Sequence, residues 1–337
     1  MLDYLLGDGF NTTALTAIIN KVPMVPTQLG DMGLFEVAGL ATTHADIESQ
    51  DGKLALVEDT PRGGPGETID SDKRKLVRLV IPHFQRDDTV MADEVQNIRA
   101  FGEEAAMETI EARIAAKMGR HTRDFDLTGE HLRHGAVNGI VLGKSGRVLF
   151  DPFTAFGIAQ PASVNFALGT STTDLKAKCT EVIERMEDAL EYAGSFEVHG
   201  LAGAGFHKQF QSHAKVEKAW ENWEGSSNRL ADGTRRPFEF GDIHWHRSRT
   251  RAKARKALGN APLIADDEVR FVAVGVPELF IERYGPADYI ETVNTMGLPR
   301  YAKRIVKQNG KGVDLEMQTN CICACTNPAS LIRGTAA

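Results

Sequence analysis

The feature that most constrains this chain is a charged arm, punctuated by glycine and proline, that runs into a long helix-forming stretch between Thr43 and about Arg120. Residues 43–84 hold two strand-forming runs on either side of a Gly63-Gly64-Pro65-Gly66 tip, with many charges and few large apolar side chains. A lone two-stranded ribbon has too little apolar surface to offset its ordering entropy, so it must lie against something else. Residues 89–120 are rich in Ala, Glu, Met and Ile and lack proline. They predict a helix with Thr89 as N-cap, Asp93 and Glu94 in its first turn, and Gly119-Arg120-His121 as its stop. At the usual rise it would span roughly 45 Å, longer than a small domain is wide. Met91, Val95, Ile98 and Phe101 form one apolar stripe, and Met107, Ile110, Ile114 and Met118 a second, slipped in phase at Gly102. Two stripes predict two packing surfaces. Taken alone, the helix fits equally well in the core of a two-domain enzyme with a surface hairpin, because periodicity reports burial and not function.

Composition narrows the classes. With 337 residues, 42% hydrophobic and 7% aromatic, the chain can build one large or two to three modest domains, yet is poor in the aromatic anchors of small-molecule pockets. A formal net charge of −7 argues against a protein that neutralises nucleic-acid phosphates broadly. No apolar run reaches the length of a membrane span, and the first residues lack a basic flank and a cleavage-like site, so the expectation is a cytoplasmic protein with no membrane partner. Four cysteines, three of them crowded at 321–325, predict free thiols, not a disulfide framework.

Along the chain, Leu15, Ile18, Ile19 and Val22 make a short periodic piece before Pro23 and Pro26, and glycines follow; this predicts an extended arm carrying apolar pegs that need a partner surface. Residues 136–153 read as a β-hairpin turning at Gly143-Lys144-Ser145-Gly146. The Gly-Lys-Ser there is not a phosphate loop, because Gly139 stands one residue too close and strand formers follow in place of a helix. Residues 171–193 predict a capped amphipathic helix, His207 to Glu224 a polar helical stretch, and 238–246 and 268–276 strands. Tyr289–Asn294, Val313–Gln318 and Cys321–Cys325 read as strands of a terminal β segment. The fold class is α+β.

Several residue groups could carry chemistry. Cys321, Cys323 and Cys325 share a strand face, but without a C-x-x-C knuckle or a fourth ligand they read as small buried hydrophobes. Asp242, His244 and His246 are the best metal candidate and would suit a metal-dependent hydrolase, although a third convergent ligand is missing and His199, His207 and His213 look too scattered to supply it. The basic run 247–257, with Arg247, Arg249, Arg251, Lys253, Arg255 and Lys256, suits a nucleic-acid contact or a solvated or subunit-facing loop. No hydrolase, zincin or dinucleotide motif is present. The resulting expectation is no catalytic, cofactor or metal site, and no enzyme.

The order of arm, hairpin, long helix, central α/β unit and β return resembles the major capsid proteins of tailed phages, and local wording narrows this to the lambda-like major capsid protein E family. The residues that carry it are Leu15-Thr16-Ala17-Ile18-Ile19-Asn20 with Pro23 and Pro26, Gly33-Leu34-Phe35, Pro61-Arg62-Gly63-Gly64-Pro65, Val137-Asn138-Gly139-Ile140 to Phe150-Asp151, 286–304, and Leu315-Glu316-Met317-Gln318-Thr319-Asn320. The resemblance implies an N-terminal arm (1–43), an extended loop (44–88), a spine helix with the first part of a peripheral domain (89–160), an axial domain (161–285) and a return of the peripheral domain (286–337). It implies self-assembly into the hexamers and pentamers of an icosahedral shell around packaged double-stranded DNA, with a scaffold, a portal and a head-decoration protein as further partners. The place of action is then the virion, with assembly in the host cytoplasm. Lys53 with Asn294 or Asn320 has the residue types of the covalent crosslink of some such shells, but no motif assigns them and no crosslink is expected.

Overall fold

The computed structural model describes residues 12–21, 27–50, 74–96, 109–190, 194–221, 237–248 and 262–337. The ribbon tip at 61–66, Lys53, the phase slip at Gly102, Pro23 and Pro26, and Arg249–Lys256 lie outside them. The strands are β1 (Glu36–Gly39), β2 (His44–Gln50), β3 (Arg74–Val80), β4 (His83–Met91), β5 (Val141–Leu142), β6 (Val148–Phe150), β7 (Val164–Asn165), β8 (Glu197–Ala202), β9 (Phe238–Phe240), β10 (Ile243–Arg247), β11 (Glu268–Val274), β12 (Phe280–Tyr284), β13 (Tyr301–Val306), β14 (Gly312–Cys325) and β15 (Arg333–Thr335).

One strand organises the first of two large sheets, beside which stand the two-stranded ribbons β2-β3 and β5-β6. β14 is 14 residues long, and the two strands expected at 313–318 and 321–325 are its halves. Its first half pairs antiparallel with β13 and β4, its second with β12, which in turn takes β1 in parallel. Cys321, Cys323 and Cys325 lie buried in that second half with Ile322 and Ala324, as core residues. Burial holds all three thiols far up the scale, Cys321 and Cys325 at about 12, so they stay protonated and inert.

The second sheet runs β7-β15-β11-β8-β10-β9. It is closed on one face by helices Leu175–Ala189, Ala204–Gln211 and Ala214–Glu221. Its core concentrates the chain's few aromatics: Trp245 stacks on Phe210 at 4.0 Å and meets Phe166 edge-on at 6.0 Å. The indole N–H donates to Phe240 O at 3.1 Å, so the buried donor is satisfied. β12, expected inside the 161–285 unit, belongs to the first sheet, whereas β15, expected in the 286–337 return, belongs to the second.

The long helix is displaced from its expected place. It runs Ile110–Asn138, with Thr109 as N-cap accepting from the Ala112 amide and Gly139, at φ 82°, as left-handed C-cap. Thr89 is not a cap: it sits in β4 opposite Asp314, to which its hydroxyl donates at 2.6 Å. Gly119 is not a stop, because the helix continues through it for 19 more residues to Asn138. An interior glycine costs about 1 kcal/mol relative to alanine, which burial of the last two turns easily outweighs. Two packing surfaces are present, but on this segment they change between Phe125 and Leu132: Ile114, Met118 and Phe125 pack with Val90, Leu315 and Met317, while Leu132 and Ala136 pack with Leu79, Ile281 and Ile322.

Smaller elements follow their local chemistry. The 136–153 hairpin begins only at Val141 and turns as expected, with Gly146 at φ 79° and Gly143 N–H donating to Arg147 O at 2.8 Å. Asp174 caps the helix predicted at 171–193. The helical stretch expected at 207–224 is, among the described residues, two short helices, Ala204–Gln211 and Ala214–Glu221, parted at Ser212 and His213. Tyr289–Asn294, expected as a strand, is a 3-10 turn at Ile290–Thr292 with Asn294 at φ 58°.

Candidate assembly interface

The arm rests on its own chain wherever it is described. Helix Thr12–Lys21 buries Leu15 and Ile19 in the cluster with Val313, Leu315 and Met317, and Asn20 Nδ2 donates to Arg300 O at 2.8 Å. Farther on, Leu29 N–H donates to Glu130 Oε1 at 2.9 Å, and β1 joins β12. The partner surface required by the apolar pegs is thus intramolecular for Leu15 and Ile19.

That docking site surrounds a buried charge network. Arg133 grips Glu282 with two hydrogen bonds, Nε to Oε2 at 2.9 Å and Nη2 to Oε1 at 3.1 Å, and the Tyr284 hydroxyl donates to the same carboxylate at 2.5 Å. Glu282 is 0% exposed. Such a pair is tolerable only because both carboxylate oxygens are satisfied. Burial works to raise the Glu130 carboxyl, yet the His134 imidazole and the Leu29 amide outweigh it and hold the group at about 2. Nearby, Arg300 Nη2 donates to Asp126 Oδ1 at 2.5 Å. Arm, long helix and first sheet are pinned together here by charge.

Loop 286–298 has the opposite character. Its backbone is fixed by bonds inside the loop and to its flanks: Thr292 Oγ1 donates to Ala287 O at 2.7 Å, Thr295 Oγ1 to Thr292 O at 2.8 Å, Gly297 N–H to Leu40 O at 2.9 Å, and Leu298 N–H to the Tyr301 hydroxyl at 2.8 Å. A Cβ on Gly297 would stand 2.0 Å from Tyr284 O, so glycine alone allows the loop to press so closely on β12. On this fixed frame Ile290 is 92% exposed, Val293 62%, Met296 62% and Leu298 42%. Four large apolar side chains held outward within nine residues mark a contact surface, not a core.

The ribbon of β2 and β3 has both characters. Ala45, Val77 and Leu79 bury its root against the first sheet, while Leu76 and Val80 on the other face are exposed. The expectation of a ribbon lying on something is met at the root by the chain itself.

The residues singled out for chemistry are distributed as follows. His244 and His246 share the outer face of β10, but Asp242 lies in the β9–β10 turn at φ 58°, where its charge helps burial raise the Cys179 thiol to about 12. The ligand atoms that do converge, all within 4.8 Å, belong to Glu197, His199 and His244. His199 had looked remote; the parallel pairing of β8 with β10 places it in register with His244. Burial, then repulsion from His199 and His244, pushes the His246 imidazole down to about 4. A hydrolase at Asp242, His244 and His246 therefore has no geometric basis. Of the basic run, Arg247 ends β10 and its carbonyl accepts from Gln28 Nε2 at 3.0 Å. Gly143-Lys144-Ser145-Gly146 is a hairpin turn with β6 after it.

Known proteins agree with this reading. The chain is 25% identical over 350 residues to the major capsid protein of Pseudomonas phage KPP10, covering 98% of each chain, and 22% identical over 346 residues to that of Salmonella phage Felix O1, covering 94% of each. Its fold is similar to that in the capsid structure of cyanophage P-SCSP1u, with a TM-score of 0.54 and 12% identity over 94% of this chain and 90% of that one. The phage major capsid protein E family matches residues 11–336. An outward apolar loop on a charge-pinned body, in a chain matched from arm to last strand, is the subunit of a shell: the chain belongs to the phage major capsid protein E family and forms capsid.

Proposed function

We propose that this subunit assembles with copies of itself into the hexamers and pentamers of an icosahedral phage head that encloses double-stranded DNA. The observation that carries the proposal is loop 286–298, where internal hydrogen bonds hold Ile290, Val293, Met296 and Leu298 in solvent. Ordering apolar side chains toward water is unfavourable unless a partner covers them. A stable interface buries about 800 Å² per partner; the loop supplies its apolar centre, and the outer face of the ribbon at Leu76 and Val80 extends it.

In this reading the six-stranded sheet with its helices is the axial domain, the five-stranded sheet the peripheral domain, and the long helix the spine that joins them. A net charge of −7 suits a container whose inner wall touches DNA non-specifically without gripping it. A scaffold, a portal and a head-decoration protein are the further partners, and assembly takes place in the host cytoplasm before the virion is complete. The role is structural, and the subunit catalyses nothing.

Electron microscopy of the purified full-length protein tests the proposal. Rings or closed shells are the expected species; a chain that stays monomeric under every assembly condition would contradict it.

A further inference from the structure

The six-stranded sheet carries a cluster of titratable side chains that the interface proposed above does not include. His199 and His244 are cross-strand partners in register, and His199, His244 and His246 alternate with the core residues Val198, Ile243 and Trp245. The ring centroids lie 4.9 Å apart for His199 and His244 and 5.0 Å for His199 and His246. Glu197, two residues before His199 and on the same face, brings its Oε2 to 3.4 Å from His199 Nε2 and 3.9 Å from His244 Nε2.

We infer that Glu197, His199 and His244 form a binding site for one divalent cation of the zinc class, with His246 orienting the His199 ring. Zinc bound tetrahedrally at about 2.0–2.2 Å from nitrogen and oxygen spaces its ligand atoms about 3.3 Å apart. The Glu197–His199 separation is already there, and His244 is about half an ångström beyond it. Two imidazoles and one carboxylate select zinc-like ions over magnesium or calcium, which prefer oxygen-only ligands. The fourth position opens to solvent and takes water.

The remaining nitrogen of His199 supports the assignment. For Nε2 to offer its lone pair to a metal, the proton must sit on Nδ1, and Nδ1 lies 3.0 Å from His246 Nε2, which accepts it. Metal-binding histidines are held by such an outer hydrogen bond. The bound cation would clip β8 to β10 across their parallel pairing.

Calorimetric titration of the purified, tag-free full-length chain with zinc chloride tests the site. One equivalent binding at micromolar affinity or tighter is expected, with no binding of magnesium chloride. His246→Ala should weaken zinc binding about 10–100-fold, and His244→Ala or Glu197→Gln more than that. His44→Ala, on the ribbon, should leave binding unchanged. Glu197 and His244 lie outside the core, so their substitution leaves the fold intact, which circular dichroism checks. Failure of the parent chain to bind zinc would overturn the inference, as would an equivalent that survives both His244→Ala and Glu197→Gln.

Discussion

The junction around Glu282 and the loop at 286–298 are neighbours in sequence and opposites in chemistry. In the first, Glu130, Arg133 and Glu282 are charged and buried; in the second, Ile290, Val293 and Met296 are apolar and exposed. Each inverts the usual distribution, and each inversion is supported by hydrogen bonds. The difference lies in who completes it. Arg133 and Tyr284 satisfy both oxygens of Glu282, and the Leu29 amide and the Arg133 charge meet Glu130, all within one chain, whereas nothing among the described residues covers the loop's apolar side chains. The junction is completed within the subunit, and in the proposed assembly the loop is what another copy completes.

This contrast can be broken most severely at the junction. Arg133→Ala leaves the Glu282 carboxylate buried without its bidentate partner, and removing one member of such a pair costs about 3–5 kcal/mol. Urea unfolding of the unassembled subunit should show that loss. A near-neutral result would mean the network is better hydrated than its burial implies.

Acid probes the same region more gently. The Glu130 carboxyl is held at about 2 against an ordinary 4.5, so its contribution is complete above pH 4.5 and is lost as the pH falls toward 2. The shift corresponds to about 3 kcal/mol. In Glu130→Gln the stability slope across that window should flatten, as read from unfolding midpoints between pH 5 and 2.

Smaller again is the effect of the helix cap. Thr109→Ala removes the hydroxyl that accepts from the Ala112 amide and should cost about 1 kcal/mol. Thermal unfolding of the unassembled subunit would show it, and a much larger loss would mean that the helix start is part of the junction's cooperative unit.

Much of this architecture was legible in the sequence where the signals are local. The Asp174 cap, the glycine turn at 143–146 and the strands at 238–246 and 268–276 all appear close to where residue chemistry put them. Thr89 misled because Thr followed by an apolar-periodic run suits a cap, while its true state is fixed by pairing with Asp314, 225 residues away. Gly119 misled because a glycine stop depends on the left-handed conformation, and this helix reaches that at its C-cap, Gly139. Tyr289–Asn294 has strand composition, but Thr292 and Asn294 close it into a turn through contacts with nearby carbonyls and a positive φ. His199 looks too scattered in the sequence for a related reason: it meets His244 only through a parallel strand pair, which no local spacing records. The outward loop was legible as a family-like segment, not as an exposed apolar surface, since sequence alone does not say which side chains its turns point to water.

The smallest expected effect on subunit stability belongs to the loop, and it gives the most direct test. Ile290→Asp combined with Val293→Asp alters side chains already in solvent, so the unassembled subunit should keep its circular dichroism and its unfolding free energy within about 0.5 kcal/mol. Electron microscopy and sedimentation of the double variant should then show folded subunits and no closed shells under conditions where the parent assembles. Shells of normal yield and size from the double variant would contradict the claim that this loop is completed by a neighbouring copy.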